Sequence, residues 1–330
     1  MKLVFLGSPS PATPTLRALV DAGHEVLGVV TQPDKRRGRG SEMIATPVAQ
    51  VARELGIPVW HSLDMVSSCG AELGVVVAYG KLIPQSLLDV VPMINVHFSL
   101  LPKWRGAAPV ERALLAGDLE TGVCIMGLEA GLDTGPIFAQ ASTPLGDKTS
   151  LALLNELAEL GAHLCVEVVA QSPLPVPTAQ EGEATYAAKL GPQDFILEPE
   201  LSAAMLTRVV RLGRAFTYIN GQRVRIHGAA LAPDVTGPSG TISFARGLQF
   251  HADEGTIEVT ILQSEGSRRL ESGDWWRGAR LSEPIRWGST TLNVGCFREQ
   301  GQRWSRWNTP YCPINPVSRF RFPIEWHRDC

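Results

Sequence analysis

The first thirty residues, MKLVFLGSPSPATPTLRALVDAGHEVLGVV (1–30), decide the fold, because two apolar runs flank a stretch of helical pattern. Residues 2–6 form a short apolar strand candidate, and residues 11–22 fit a helix that ends at Gly23. Residues 25–30 are rich in valine, which favours a second strand. Two strands joined by a helix at this spacing predict a parallel sheet, since parallel neighbours need such a crossover.

The same alternation of strands and helices continues to residue 170. Residues 73–78 read LGVVVA, an almost continuous apolar run that is typical of parallel strands buried on both faces. The other candidates are strands at 93–97, 121–128 and 137–141 and helices at 46–55, 107–116 and 150–170. We predict an open, mostly parallel α/β domain with its functional site at the carboxyl ends of the strands.

A different pattern follows residue 170. Residues 171–185, QSPLPVPTAQEGEAT, contain three prolines and little apolar periodicity, which predicts a linker. Ser202 can then cap an amphipathic helix, LSAAMLTRVVRLGRAF (201–216). Short runs with turn signals follow at 223–227, 240–244, 248–251 and 256–262, and they predict a small β-barrel or sandwich.

Composition and charge limit the possible partners. The chain has 330 residues, 44% of them hydrophobic and 19% charged, which favours a packed core over global disorder. Residues 1–188 contain 12 Lys and Arg against 19 Asp and Glu, whereas residues 189–330 contain 18 against 14. The basic second part suggests an anionic partner. An uneven surface charge without any partner is the alternative.

The cysteines and the apolar runs indicate the compartment. Six scattered cysteines form no C-x-x-C pair, so no zinc site is signalled. The first apolar run is too short for a signal peptide, and no run of about 20 apolar residues occurs. We expect a soluble, cytoplasmic monomer with reduced thiols, no metal and no membrane partner.

Three residues form a candidate catalytic group. Asn95 and His97 alternate on a predicted strand, so both side chains point to the same face. An amide and a protonated imidazole can donate hydrogen bonds to a carbonyl oxygen that becomes an oxyanion. Asp133, in a glycine-flanked loop, is the best carboxylate to set the protonation state of the histidine. A strand-end histidine and a turn aspartate without function are the alternatives.

A resemblance to a known family decides between these readings. The stretch NVHFSLLPKWRGAAPVERALLAGDLETGV (95–123) followed by GLDTGPI (131–137) resembles the signature region of the 10-formyltetrahydrofolate-dependent formyltransferases. KWRGAAP (103–109), TQPDKRRGRG (31–40) and VVAYGKLIP (76–84) are similar to the methionyl-tRNA formyltransferases in particular. The resemblance runs from Met1 to about Lys189. It implies a Rossmann-like α/β domain at 1–170, a linker at 171–188 and an OB-like β-barrel that binds tRNA at 189–295.

The resemblance also implies roles for individual residues. Asn95, His97 and Asp133 match the catalytic residues of the family. The residues expected to bind the 10-formyltetrahydrofolate co-substrate lie in two segments, Ser99, Leu100, Leu101 and Pro102, and Tyr79, Gly80, Lys81, Leu82 and Ile83. The chain is therefore expected to move a formyl group from this folate to the α-amine of methionyl initiator tRNA, which starts translation.

Basic residues are the expected contacts to tRNA. The loop at 33–47 is rich in cations and glycine, which suits backbone phosphates and an opened base pair. Arginines spaced by three on the predicted helix share a face, as do two that alternate on a strand. Solvated or salt-bridged surface charge is the alternative. The cations concerned are Lys35, Arg36, Arg37, Arg39, Lys103, Arg105, Arg208, Arg211, Arg214, Arg223 and Arg225.

Two other functions stay open at this point. A formyltransferase acting on an amino sugar nucleotide would share the catalytic trio and the folate site, without needing the basic loop. An RNA-binding module with a disused α/β domain would have lost the trio. Residues 296–330 match nothing known in the family and are of unknown role. Trp304, Trp307 and Trp326 could stack on bases there, although an extension without function is the simpler reading.

Overall fold

The computed structural model describes residues 1–36, 43–245, 247–279, 281 and 285–289, all within one compact unit that spans Met1–Leu292. The predicted start is confirmed as strand β1 (Lys2–Gly7), helix α1 (Thr13–Asp21) and strand β2 (Glu25–Val30). A short 3₁₀ turn, Ser10–Ala12, takes the place of the first turn of the predicted helix.

The predicted alternation continues as expected, with boundaries that move by up to three residues. Helix α2 (Pro47–Glu54) begins where the Thr46 hydroxyl accepts the Ala49 N–H, which caps its first turn. The other elements are β3 (Lys35–Arg36), β4 (Met43–Ile44), β5 (Val59–Trp60), β6 (Leu73–Val77), α3 (Gln85–Leu88), β7 (Met93–His97), β8 (Arg105–Gly106), α4 (Pro109–Ala116), β9 (Glu120–Gly127), β10 (Ile137–Pro144) and α5 (Ser150–Val169).

A seven-stranded sheet organises this part of the chain, in the order β10-β9-β7-β6-β1-β2-β5. Strands β5, β2, β1, β6 and β7 are parallel, and β9 and β10 extend one edge, where β9 is antiparallel to both β7 and β10. One face carries a continuous apolar core with α1 and α5, to which Ile94 and Val96 of β7 belong. The predicted Rossmann-like, mostly parallel sheet is confirmed.

The later part of the chain forms a curled antiparallel sheet, which confirms the predicted OB-like half of the fold. Its elements are β11 (Tyr186–Ala187), α6 (Ala203–Arg211), β12 (Phe216–Ile219), β13 (Gln222–Leu231), β14 (Ile242–Phe244), β15 (Leu248–His251), β16 (Thr256–Ser264), β17 (Leu270–Glu271) and α7 (Ser272–Gly278). The strand order is β12-β13-β16-β15-β14, with β17 paired to β16. A separate apolar core fills this sheet and includes the contacting rings of Phe250 and Trp287.

Helix α6 is shorter than its sequence pattern indicates. Ser202 caps it as predicted, since its hydroxyl accepts the Met205 N–H at 3.2 Å. The helix ends at Arg211, because Gly213 takes a left-handed conformation with φ 78° and β12 starts three residues later. Arg214 therefore lies outside the helix. In the ranges that the structure covers, no helix has the combined length and apolar character that crossing a bilayer requires.

Candidate active site

Strand β7 presents Asn95 and His97 on the face of the sheet opposite α1 and α5. Asn95 pairs with Met126 of β9, and His97, the last residue of β7, pairs with Cys124. Both side chains are buried, with 9% of Asn95 and 5% of His97 exposed. The alternation of side chains along a strand thus places them together as predicted.

The loop between β9 and β10 brings Asp133 to this face. The Oδ2 atom of Asp133 lies 3.7 Å from Nδ1 of His97 and accepts the N–H of Gly106 at 2.8 Å. Asp133 itself has a left-handed backbone, with φ 51°. A Cβ atom on Gly135 would come within 1.9 Å of the Gly127 carbonyl oxygen, so the loop can close only with glycine there.

The loop after β7 holds the other side of the imidazole. Nε2 of His97 lies 3.0 Å from the carbonyl oxygen of Trp104, which is an acceptor only. Trp104 has a left-handed φ of 61° and is fixed twice, by its indole N–H to Asp118 at 2.7 Å and by its backbone N–H to the Thr185 hydroxyl at 2.9 Å. The imidazole therefore has an oxygen atom near each nitrogen, at 3.0 Å on the Nε2 side and at 3.7 Å on the Nδ1 side.

Asn95 differs from His97 in having a free side-chain amide. Across the described residues, no hydrogen bond joins that amide to another protein group. The amide N–H is therefore available to a substrate oxygen, while the burial of the residue limits competition from water.

The predicted folate segment at 79–83 follows β6 as a tightly turned loop. Ala78 and Gly80 have positive φ values of 47° and 73°, and Tyr79 between them is buried. Burial raises the pKa of the Tyr79 hydroxyl, which stays neutral at physiological pH. Leu82 is 88% exposed. The backbone groups of this turned loop and its exposed apolar side chain suit a planar aromatic ligand, although the folate contact stays a prediction.

The second predicted folate segment, 99–102, is partly turned inward. Ser99 is fully buried and donates its hydroxyl hydrogen to the Lys103 carbonyl at 2.6 Å. Leu101 packs in a small core with Cys124, and burial raises the pKa of that thiol to about 11, so it is not a nucleophile. Leu100 and Pro102 are half-buried. Any folate contact of these four residues remains predicted.

The predicted tRNA-binding loop is only partly described. Lys35 and Arg36 lie on β3, which pairs with β4 in a short antiparallel ladder. Arg37 and Arg39 lie outside the described residues, as do Trp304, Trp307 and Trp326 and the whole of 296–330. Lys103 is exposed, and Arg105 donates from Nε and Nη2 to Oε1 of Gln180 at 3.1 and 2.6 Å.

The arginines of α6 contact the first half of the chain. Arg208 donates to the carbonyls of Leu115 and Ala116 at the carboxyl end of α4, at 3.4 and 3.2 Å. Arg211 donates to the carbonyls of Lys148 and Gly146 at 2.8 and 2.6 Å. The carboxyl end of a helix such as α4 carries unpaired carbonyls that attract cations like Arg208. The predicted contact of Arg208 and Arg211 with tRNA stays a prediction, and Arg214 instead stacks 4.5 Å above the Phe195 ring.

Two further arginines line a cavity of about 250 Å³ on the C-terminal sheet. Arg223 lies 4.0 Å above the ring of Phe216, and its buried Nε has no hydrogen-bond partner among the described residues. Arg225, two residues along β13, is exposed. The other lining residues come from β16 and the turn after it, and they include Glu265.

Several residues of the site carry no sequence signal. The Trp104 carbonyl and the Gly106 N–H are backbone groups, so residue type does not mark them. Gln180 and Thr185 fall in the proline-containing segment predicted to be a linker. No described residues form a cluster of three or more potential metal ligands.

Comparison with known proteins shows the family of the chain. The chain matches the Formyl transferase family over residues 1–169 and the family described as Formyl transferase, C-terminal domain, over residues 191–280. It is 41% identical over 299 residues to the methionyl-tRNA formyltransferase of Dechloromonas aromatica, covering 86% of this chain and 97% of that protein. The chain belongs to the methionyl-tRNA formyltransferase family.

Solved structures of lower identity share the fold. The N-formyltransferase from Helicobacter canadensis, in complex with folinic acid and dTDP-3-aminofucose, aligns with a TM-score of 0.63 at 17% identity, over 80% of this chain and 99% of that one. The methionyl-tRNA formyltransferase from Clostridium thermocellum aligns with a TM-score of 0.52 at 16% identity, over 70% and 94%. These likenesses extend to architecture alone.

Proposed function

We propose that the chain transfers the formyl group of 10-formyltetrahydrofolate to the α-amine of methionyl initiator tRNA, with Asn95, His97 and Asp133 as the catalytic residues. One observation carries the assignment of these residues. In a member of this family, the structure brings an imidazole and a carboxylate within 3.7 Å of each other, on the same face as a buried amide that is free to donate.

Asn95 stabilises the charge that develops during transfer. The neutral α-amine attacks the formyl carbon, and the carbonyl electron pair moves onto the formyl oxygen. The Asn95 N–H donates to that oxygen, an interaction that strengthens as the negative charge grows. The imidazole was predicted to donate to the same oxygen. Its Nδ1 would serve, because Nε2 already lies against the Trp104 carbonyl.

His97 and Asp133 act on the proton that moves from the attacking amine to the folate. The attacking nitrogen loses one proton when the new C–N bond forms, and N10 of the folate gains one when its bond to the formyl carbon breaks. The 3.7 Å gap between Nδ1 and Oδ2 exceeds a direct hydrogen bond, so Oδ2 can accept the proton of the amine, directly or through a water that lies beside the two atoms. The Gly106 N–H fixes Oδ2 and keeps the carboxylate turned toward the ring.

The proposed tRNA contacts are the cations predicted from the sequence, together with the cavity at Arg223 and Arg225. Arg208 and Arg211 would reach tRNA through the guanidinium N–H groups that their carbonyl contacts leave unused. We assign residues 1–170 to formyl transfer and 189–295 to tRNA, joined through 171–188. The protein is proposed to act as a monomer in the cytoplasm.

An amino sugar nucleotide is the competing acceptor, since a sugar N-formyltransferase shares the fold. The test mixes purified protein and 10-formyltetrahydrofolate with either methionyl initiator tRNA or a dTDP-linked amino sugar, and measures formylated product. Methionyl-tRNA with a blocked α-amine is the control. We expect formylated product only from the methionyl-tRNA whose α-amine is not blocked. Formylation of the sugar nucleotide without formylation of tRNA would refute the proposal.

A further inference from the structure

The segment between the two halves of the chain is bonded to the catalytic loops. Thr178 pairs with Ile137 just after the Asp133 loop, and β11 pairs with β8 directly after Trp104. Between these two anchors, the side chain of Gln180 reaches into the space between the loops, 45 or more residues away in sequence.

All four hydrogen-bonding positions of the Gln180 amide are used. Its Nε2 donates to the carbonyls of Asp133 and Gly135, both at 2.8 Å. Its Oε1 accepts from Nε and Nη2 of Arg105. The orientation of the amide is fixed, because a guanidinium can only donate and a carbonyl can only accept.

These contacts close a ring around the catalytic carboxylate. Gln180 holds the backbone of Asp133 on one side and Arg105 on the other. The residue after Arg105, Gly106, donates its N–H to Oδ2 of the same Asp133. The Asp133 backbone is left-handed, a conformation that costs energy for a non-glycine residue and persists only when its surroundings impose it.

We propose that Gln180 is a positioning residue for the formyl-transfer reaction. Its hydrogen bonds join the turn at 133–135 to Arg105 and so hold Asp133 toward His97. It does not touch the reacting atoms. This inference rests on the proposed function, since it needs Asp133 to act in catalysis.

Two substitutions separate the two halves of the contact. Gln180→Met removes every hydrogen bond at nearly equal size. Gln180→Glu keeps the oxygen that faces Arg105 but sets a second oxygen against the carbonyls of Asp133 and Gly135. Both variants should lose kcat by about 10- to 100-fold, with KM for both substrates changing by less than about threefold. Gln171→Met is the matched control, because within the described part of the chain that exposed amide donates only to the Glu167 carbonyl of α5.

A double-mutant cycle tests whether Gln180 acts through Asp133. In an Asp133→Asn background, Gln180→Met should lower kcat by less than about twofold, because the group it positions is already impaired. An equal loss in both backgrounds would overturn the proposal, as would a Gln180→Glu enzyme with normal kcat. A lowered melting temperature in both variants, with kcat of the folded fraction unchanged, would make Gln180 a stability residue and would also overturn it.

The wild-type assay distinguishes a failure of the proposed function from a failure of the role proposed for Gln180. A wild-type chain that does not formylate methionyl-tRNA refutes the proposed function. An active wild type whose Gln180 variants match the Gln171 control refutes only the role of Gln180.

Discussion

The site at β7 and the arginine face of α6 were predicted by the same reasoning, from the spacing of residues along one element. In the structure, the two sets of side chains meet different kinds of partner. Asn95 and His97 share a strand face, and the loop between β9 and β10 brings the Asp133 carboxylate to His97. Arg208 and Arg211 share a helix face, but they donate to backbone carbonyls of the first half of the chain. Spacing thus determines which side chains point the same way, while the partner they meet depends on what packs opposite.

The contrast follows from donor number and surroundings. A guanidinium has five N–H groups and reaches any nearby carbonyl, and the end of α4 offers unpaired ones. Asn95 lies between the apolar residues Val76 of β6 and Met126 of β9, on strands whose backbone groups already pair with each other, so its amide keeps a free donor. Substitutions at the two regions should therefore change different properties, activity at the first and stability at the second.

The largest effect is expected at Asn95. Asn95→Ala should lower kcat by about 10²- to 10³-fold, because one oxyanion donor is lost. The melting temperature should change little, since the amide bonds to no described protein group. Asn155→Ala, at an exposed position of α5, is the control for steady-state formylation kinetics. Near-normal turnover by the Asn95 variant would remove the distinction between the regions.

A second prediction concerns Arg211. Arg211→Ala should lower the free energy of unfolding by about 1–3 kcal/mol, because two charge-assisted hydrogen bonds to carbonyls are lost. Urea titration of both proteins measures the change. Arg277→Ala, which removes an exposed cation from α7, should have little effect. An Arg211 variant of unchanged stability would show that its carbonyl contacts do not join the two halves.

Arg225 should affect tRNA binding without the loss of stability that is expected at Arg211. Arg225→Ala should weaken tRNA binding by about 3- to 10-fold and reduce the slope of log K against log salt by about one, as loss of one phosphate contact does. Stability should stay within about 0.5 kcal/mol, because the side chain is exposed. Filter binding at several salt concentrations gives both values. An unchanged slope would place tRNA elsewhere.

The smallest effect is a pH dependence in the C-terminal sheet. Burial lowers the pKa of His251, whose ring contacts the hydroxyls of Ser243 and Thr256. As pH falls below about 6.5, His251 therefore binds a proton more readily in the unfolded chain than in the folded one. The free energy of unfolding should decrease over this pH range. His251→Gln should flatten this decrease, whereas His163→Gln, at an exposed position, should not. Parallel curves for both variants would assign the acid sensitivity to other groups.

The predictable part of this molecule is the part that depends on local pattern. Apolar runs and capping residues predicted the strands and helices, and strand alternation placed Asn95 beside His97. The ring around Asp133 could not be predicted, because it depends on backbone groups and on Gln180, whose segment has no periodicity. The end of α6 was missed because Gly213 stops a pattern that its apolar residues continue.

His97 is proposed to act in the chemical step. The most direct measurement is the single-turnover rate of formylation, with enzyme in excess over methionyl initiator tRNA and with saturating 10-formyltetrahydrofolate. We predict that His97→Ala lowers this rate by at least about 10²-fold, whereas His163→Ala keeps the wild-type rate. A His97 variant that forms formylmethionyl-tRNA at the wild-type rate would show that His97 takes no part in the chemical step.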